Sequence, residues 1–305
     1  LENKKMQGIK ACAELRLIAV ALVGLAIATC VRAQGENARE AELKAAWQAA
    51  DAVMQRGAVS VPLRDQAQLQ LPEGYAFIPA KEAALVMTKM GNQTDERFLG
   101  MIVPLSDANW LVTVDYEPAG YIKDDDAKNW DAKELLDNLK EGTEAGNKRR
   151  ESMGIAPIVV SRWIEPPAYE SATHRLVWSA ELRQKHGDDP DPTINYNTYV
   201  LGREGYISMD LVTSASTVST DKQAATELLA AVAFNEGKRY GNFNSSTDKI
   251  AAYGLAALVG GLAVKKLGLL AIIGAFLLKF AKLFAVGAAA FGGGVLKWWR
   301  GRKAE

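Results

Sequence analysis

Residues 173–212 read THRLVWSAELRQKHGDDPDPTINYNTYVLGREGYISMDLV. The first part alternates. Leu176, Trp178, Ala180 and Leu182 share one face, and Arg175, Ser179, Glu181 and Arg183 share the other. A period of two predicts a half-buried strand from His174 to Arg183. Gly202-Arg203-Glu204-Gly205 then joins two strand-like runs, Tyr196 to Gly202 and Tyr206 to Val212, as a tight hairpin.

Outward from this stretch, further strands are expected at Val59 to Leu63, Gln68 to Leu71, Ala76 to Ile78, Phe98 to Val103, Trp110 to Tyr116 and Ile158 to Trp163. Helices are expected over 38–56 and from Lys81 to Met90, each followed by a stopping glycine. Asp131-Ala132-Lys133-Glu134 resembles a capping box that opens a helix carrying Leu135, Leu136 and Leu139. Thr220 and Gln223 suggest a second such box before a helix to Phe234. Helices mixed with antiparallel hairpins predict an α+β fold: a mixed or antiparallel sheet with flanking helices.

The 305 residues carry 36 Lys+Arg against 36 Asp+Glu, but the charge is unevenly placed. Two basic, apolar ends bracket an acidic body. A nucleic-acid partner is excluded, because it needs a basic footprint. Lys4, Lys5, Lys10 and Arg16 lead into an apolar run from Leu17 to Ala28, which is too short to span a bilayer as a helix. Val31-Arg32-Ala33 follows as a signal-peptidase pattern. The alternatives are a buried amphipathic helix, or a lipobox at Ile27-Ala28-Thr29-Cys30 that departs from pattern at Thr29. Cys12 and Cys30 are the only cysteines and both fall in this leader. A cleaved chain would then have no disulfide and no thiol chemistry.

At the other end, apolar runs are interrupted by Lys265-Lys266, Lys279 and Lys282. They close on Trp298-Trp299 and Arg300, an aromatic belt followed by a positive-inside stop. Lys265, Lys279 and Lys297 fall within about 40° on a helix, which suits either a wet oligomer face or chance. The expected organisation is a signal peptide at 1–33 and a soluble periplasmic domain at 34–250. A membrane helical segment at 251–299 and a basic cytoplasmic tail at 300–305 complete it. The protein would sit in a bacterial inner membrane, partnered by lipid and by an envelope protein or a second copy.

GYIKDDDAKNWDAKELLDNLKEGTEAGNKRR (120–150), THRLVWSAELR (173–183), NYNTYVLGREGY (195–206) and FNEGKRYGNFNSSTDKIAAYGLAALVGG (234–261) together resemble the DUF2167 family of bacterial proteins. The resemblance implies an envelope protein with a signal, a soluble domain and a C-terminal membrane segment. It brings no catalytic residues.

Chemistry must therefore be argued from this chain. Asp124 and Asp126 could offer oxygens to a hard cation, but the run lacks the glycine and terminal acid of a calcium loop. A solvated turn before a helix is the simpler reading. His174 could act as a general base, although neither it nor His186 lies in a zinc-binding pattern. Ser246-Thr247-Asp248-Lys249 fits the S-x-x-K nucleophile motif without its usual companions. The simpler reading there is Ser245 and Asp248 capping a helix that enters the membrane. No cofactor is implied. The leading expectation is a non-enzymatic, membrane-anchored binding or assembly module. The alternatives are an envelope hydrolase using Ser246/Lys249 or His174, and an oligomeric pore.

Overall fold

A computed structural model of the chain describes residues 41–90, 92–152 and 156–260. Eight antiparallel strands form one sheet in the order β1-β4-β5-β6-β10-β9-β8-β7. These are β1 (Gln55–Arg56), β4 (Tyr75–Pro79), β5 (Phe98–Pro104), β6 (Leu111–Glu117), β7 (Ile158–Glu170), β8 (Arg175–Gln184), β9 (Thr193–Leu201) and β10 (Tyr206–Ser214). A second sheet runs β11-β3-β2, with β2 at Val59–Leu63, β3 at Ala67–Leu71 and β11 at Val232–Phe234. The helices are α1 (41–53), α2 (Ala80–Lys89), α3 (Ala132–Ser152), α4 (Val218–Ala230) and α5 (Ala256–Gly260).

The large sheet is the middle of three layers, and strand alternation decides what each face meets. Ile207, Met209 and Leu211 of β10 point into one core with Val112 and Val114 of β6. Leu228 of α4 and Leu63, Leu69 and Leu71 of the small sheet close that core. On the opposite face the cover is split. Ala46 and Ala50 of α1 and Ala83 and Val86 of α2 pack on Ile78 and Met101. Leu135 of α3 and Leu255, Leu258 and Val259 at α5 pack on Leu176 and Trp178.

Several expectations change for identifiable reasons. The first helix stops at residue 53, because Gln55 and Arg56 pair with Phe77 and Ala76. Strand β7 runs past Trp163 through Pro166 and Pro167, with an irregular register. Those prolines are tolerated because β7 is the last strand and one side has no ladder to complete. Helix α4 begins at Val218, so Thr220 lies in its first turn rather than at a cap. It ends at Ala230, because Val232 to Phe234 pair with β3. On β8, the expected solvent face is also buried: Ser179 and Glu181 are 0% and 1% exposed. Glu181 is held there by Arg162 and Arg183.

The fold also passes the boundary expected at 250. Leu255, Leu258 and Val259 are core residues packed with Leu135 and Trp178, so the core of the domain continues to residue 259. Among the described residues, no helix is long and apolar enough to cross a membrane. The expected signal at 1–33, the segment 261–299 and the tail 300–305 lie outside the described residues, as do Lys265, Lys279, Lys282, Trp298, Trp299 and Arg300.

Gly100 sits where β5 shifts register against β6, with φ of +152°. A Cβ there would lie 2.4 Å from the Ile78 carbonyl oxygen. Gly142, on exposed α3 surface, has nothing within 4 Å of its would-be Cβ. Gly100→Ala is therefore expected to destabilise the protein by about 2–4 kcal/mol. Gly142→Ala should stabilise it by ~0.5–1 kcal/mol. Urea denaturation of both variants checks the pair, and equal midpoints would refute this account of Gly100.

Candidate functional site

Two of the sequence candidates, the aspartates near 124 and His174, meet in one place. A single turn of 3-10 helix at Asp125–Lys128 presents Asp124 and Asp126. The Tyr169 hydroxyl donates to Asp124 Oδ2 at 2.8 Å and lies 3.1 Å from His174 Nδ1. With that hydroxyl proton given to Asp124, the His174 Nδ1–H is the donor to the tyrosine oxygen. His174 immediately precedes β8, with φ of +53°, and its ring stacks on Tyr240 at 4.1 Å. The Tyr240 hydroxyl donates to the Ile122 carbonyl at 2.7 Å. Burial first, then the Asp124 carboxylate, hold Tyr169 well above the ordinary tyrosine range, so it remains a proton donor.

Asp126 does something different. Its oxygens accept the Leu255 and Ala256 backbone N–H groups at 3.1 and 3.0 Å. It thus caps α5 from more than a hundred residues away in sequence. Asp131 is the local counterpart, accepting from the Lys133 and Glu134 N–H groups that open α3. Tyr121 bridges Ile250, and its ring stacks on Phe243 at 3.9 Å. The cluster is therefore a clasp that binds the chain around 240–260 to the sheet. Asp124 and Asp126 point their oxygens at different partners. Among the described residues, no three His, Cys, Asp or Glu side chains converge on a metal position.

Ser246 and Lys249 are both exposed. The Ser246 backbone N–H donates to Asn244 Oδ1 at 3.0 Å, and the Lys249 carbonyl accepts from Tyr121 N–H at 2.8 Å. No hydrogen bond among the described residues joins Ser246 to Lys249 or to His174. No helix follows Ser245 directly either. Asp248 instead takes the Arg203 guanidinium on both oxygens, each at 2.7 Å, and accepts the Asn244 N–H. The Arg203 guanidinium holds the Asp248 carboxyl well below the usual carboxylate range. Glu144 and Glu204 pair with Lys185 and Lys238 respectively.

The open surface lies elsewhere. Between α2 on one flank and α3 with α5 on the other, the face of β6 and the adjoining part of β10 is only partly covered: Leu111, Thr113, Asp115, Asp210 and Val212 keep some exposed surface, whereas Asn197 and Tyr199 of β9 are buried. Pairing across the strands gives a continuous row: Ile78, Met101, Thr113, Asp210, Asn197, Trp178. Its ends are apolar and helix-covered, and its centre is polar. Two adjoining hollows follow β6 along this face. One, of about 510 Å³, is lined by Trp47, Met90, Val103, Trp110, Leu111 and Val212 among others. The next, of about 360 Å³, is lined by Met87, Arg97, Phe98, Thr113 and Asp115 among others.

Asp210 keeps some exposed surface, but its Oδ1 is buried and without a hydrogen-bond partner. Burial, then the neighbouring Asp115 carboxylate, push its pKa up to about 7. Asp115 is pushed up to about 6 by burial, opposed by Arg97 and reinforced by Asp95 and Glu117. Sequence reading missed both acids, because Ser208 and Asp210 alternate with Ile207, Met209 and Leu211 like an ordinary solvent face. An acid in mid-strand was the available signal.

Asp126→Ala should release α5 and cost about 1–2 kcal/mol, the usual worth of a cap. Faster hydrogen exchange at the Leu255 and Ala256 amides, unchanged in Asp125→Ala, is the expected readout. The Asp210 carboxyl rises from its ordinary 3.8 to about 7 on folding, so the folded state binds the extra proton. Its contribution to stability is then best below pH ~4, falls as pH rises toward 7 and is flat above. Asp210→Asn is accordingly expected to stabilise by about 1–3 kcal/mol at pH 8 and to have little effect at pH 4. Thermal melts at the two pH values decide it, and a destabilised variant at pH 8 would contradict the electrostatic argument.

Among the solved structures that are similar at low identity are two of different origin. One is the solution structure of cyanobacterial PsbP (CyanoP) from Synechocystis sp. PCC 6803, at 14% identity and TM-score 0.36, covering 60% of this chain and 92% of that one. The other is the Saccharomyces cerevisiae Ran-binding protein Mog1p, at 11% identity and TM-score 0.36, covering 62% of this chain and 100% of that one. No curated protein matches. A family model described as "Protein of unknown function (DUF2167)" matches residues 54–291, most of the chain. The chain belongs to the DUF2167 family.

Proposed function

We propose that this chain is a membrane-anchored bacterial envelope protein whose α+β domain is a non-enzymatic binding module. The observation that carries the reading is a division of labour on one sheet face. The residues that looked most chemical, Asp124, Asp126 and His174, are engaged with Tyr169, Tyr240 and the start of α5. The accessible concave surface is instead apolar and aromatic, a hollow of about 510 Å³ beside Trp47, Met90 and Trp110. Hollows of that size and lining are what binding surfaces use. Met90 is 43% exposed at its rim, an apolar side chain held in water where a partner would cover it.

Anchoring is supported by the sequence beyond 260, where apolar runs end in Trp298, Trp299 and Arg300. The clasp would then hold the domain directly against its anchor. On this reading the domain lies in the periplasm and the C-terminus in the cytoplasm.

The test combines topology with contact. In a background lacking Cys12 and Cys30, cysteine is placed at Ser216 or at Gly301 and intact cells are treated with a membrane-impermeant maleimide. Labelling at 216 and not at 301 is expected, and the reverse would overturn the reading. A photo-crosslinking residue at position 90 should also give a discrete adduct that is reduced by Trp47→Ala and unaffected by His174→Ala.

A further inference from the structure

The open face has a width, a charge and an apolar flank, and together these describe what would fit it. Helices α2 and α5 cover β5 and β8, and Asn197 and Tyr199 of β9 are buried as well, which leaves two strands, β6 and β10, between them. At ~4.8 Å per strand that opening is about 10 Å wide. A single α-helix with side chains is about 10–12 Å across. The opening therefore admits one segment and not a layer of two.

The floor of that opening is acidic. Ser208 pairs with Asp115, and Asp210 pairs with Thr113, so the two acids are diagonal neighbours across β6 and β10, about 7 Å apart. Arg97, the nearest cation, is already committed to Asp95 at 2.5 Å and Glu117 at 2.8 Å. Glu117 and Asp95 add negative potential on the same side, and Tyr199 faces Asp210 from β9. Asp210 Oδ1 is buried and has no donor. An unmet buried carboxylate oxygen is costly, and the fold gains nothing from it. Such a cost is retained where a site needs the group. Beside this acidic floor lies the apolar hollow of Trp47, Met90 and Trp110.

We propose that the face over β6 and β10 is a docking site for one segment of a partner protein that carries lysine or arginine next to an aromatic or aliphatic side chain. This rests on the binding-module reading and adds the chemistry of the partner. The cation would supply the donor that Asp210 lacks and lie within reach of Asp115. The apolar side chain would fill the hollow between Trp47 and Met90. Acidification would weaken the contact, because both carboxylates take up protons between pH 8 and 5.5.

The full chain, purified in a non-ionic detergent, is titrated calorimetrically with two soluble probes. They are acetyl-Lys-Trp-Lys-amide and its neutral counterpart acetyl-Gln-Trp-Gln-amide. The charged probe is expected to bind at least ~10-fold tighter at pH 8, in line with the loss seen when one partner of a partly buried charge pair is removed. The double variant Asp115→Asn/Asp210→Asn should erase that difference, while Asp188→Asn on an exposed turn should keep it. Lowering the pH to 5.5 should bring the charged probe toward the neutral one. Met90→Ser should weaken both probes alike.

If Met90→Ser weakens both probes but the aspartate variants change neither, the binding module stands and the cationic partner is wrong. If neither probe binds, the proposal is wrong. Binding that emerges only after Lys265→Gln/Lys266→Gln would mean that the chain serves its own face, and it too overturns the partner.

Discussion

The structure depends on one constraint: alternate residues of β10 must satisfy two different environments. Ile207, Met209 and Leu211 enter a core closed by α4 and the small sheet. Ser208 and Asp210 turn to the other face, where helical cover stops short. A one-residue slip of this strand would exchange the two sets. It would bury Asp210 among aliphatic side chains and expose Met209. The registers with β6 and β9, unbroken along the strand, are what hold the exchange off. The apolar core, the open face and the acidic pair are all consequences of that register.

Much of the architecture is legible from local pattern, and the reasons for the misses are specific. Strands β8 to β10 announce themselves by alternation and by the Gly202 to Gly205 turn. The Asp131 cap is readable because its partners lie within three residues. The Asp126 cap is not, because its partners are at 255 and 256. Strand β7 is cut short in a sequence reading by Pro166 and Pro167, whose tolerance depends on the strand's place at the end of the order. Strand β11 looks like the last turn of a helix until β3 is there to pair with it. Residues 251–260 look like the beginning of an apolar anchor, because composition alone does not distinguish a helix buried against Trp178 from one buried in lipid.

The same distinction governs the site. Residue type singled out Asp124, Asp126 and His174, and the fold does bring them together, but as a clasp of hydrogen bonds and stacked rings. The open face could not be read that way. It is a row of residues from five different strands, polar only at its centre, and each looks unremarkable in its own neighbourhood. Met101, Thr113, Asp210, Asn197 and Trp178 become one feature only through pairing. Chemistry held in a contiguous motif is visible in a sequence, whereas chemistry held in a register is not.

The two outer strands of the large sheet also limit how this molecule can meet another. At one end β1 has only two residues, Gln55 and Arg56. At the other, β7 carries consecutive prolines and an interrupted ladder. Neither rim offers a straight run of free N–H and C=O groups, so neither is a template onto which a foreign strand could add. Growth of the sheet from molecule to molecule, the usual hazard of a long antiparallel fold, is blocked at both ends. What the domain presents to another molecule is therefore its faces and their side chains rather than a free sheet edge.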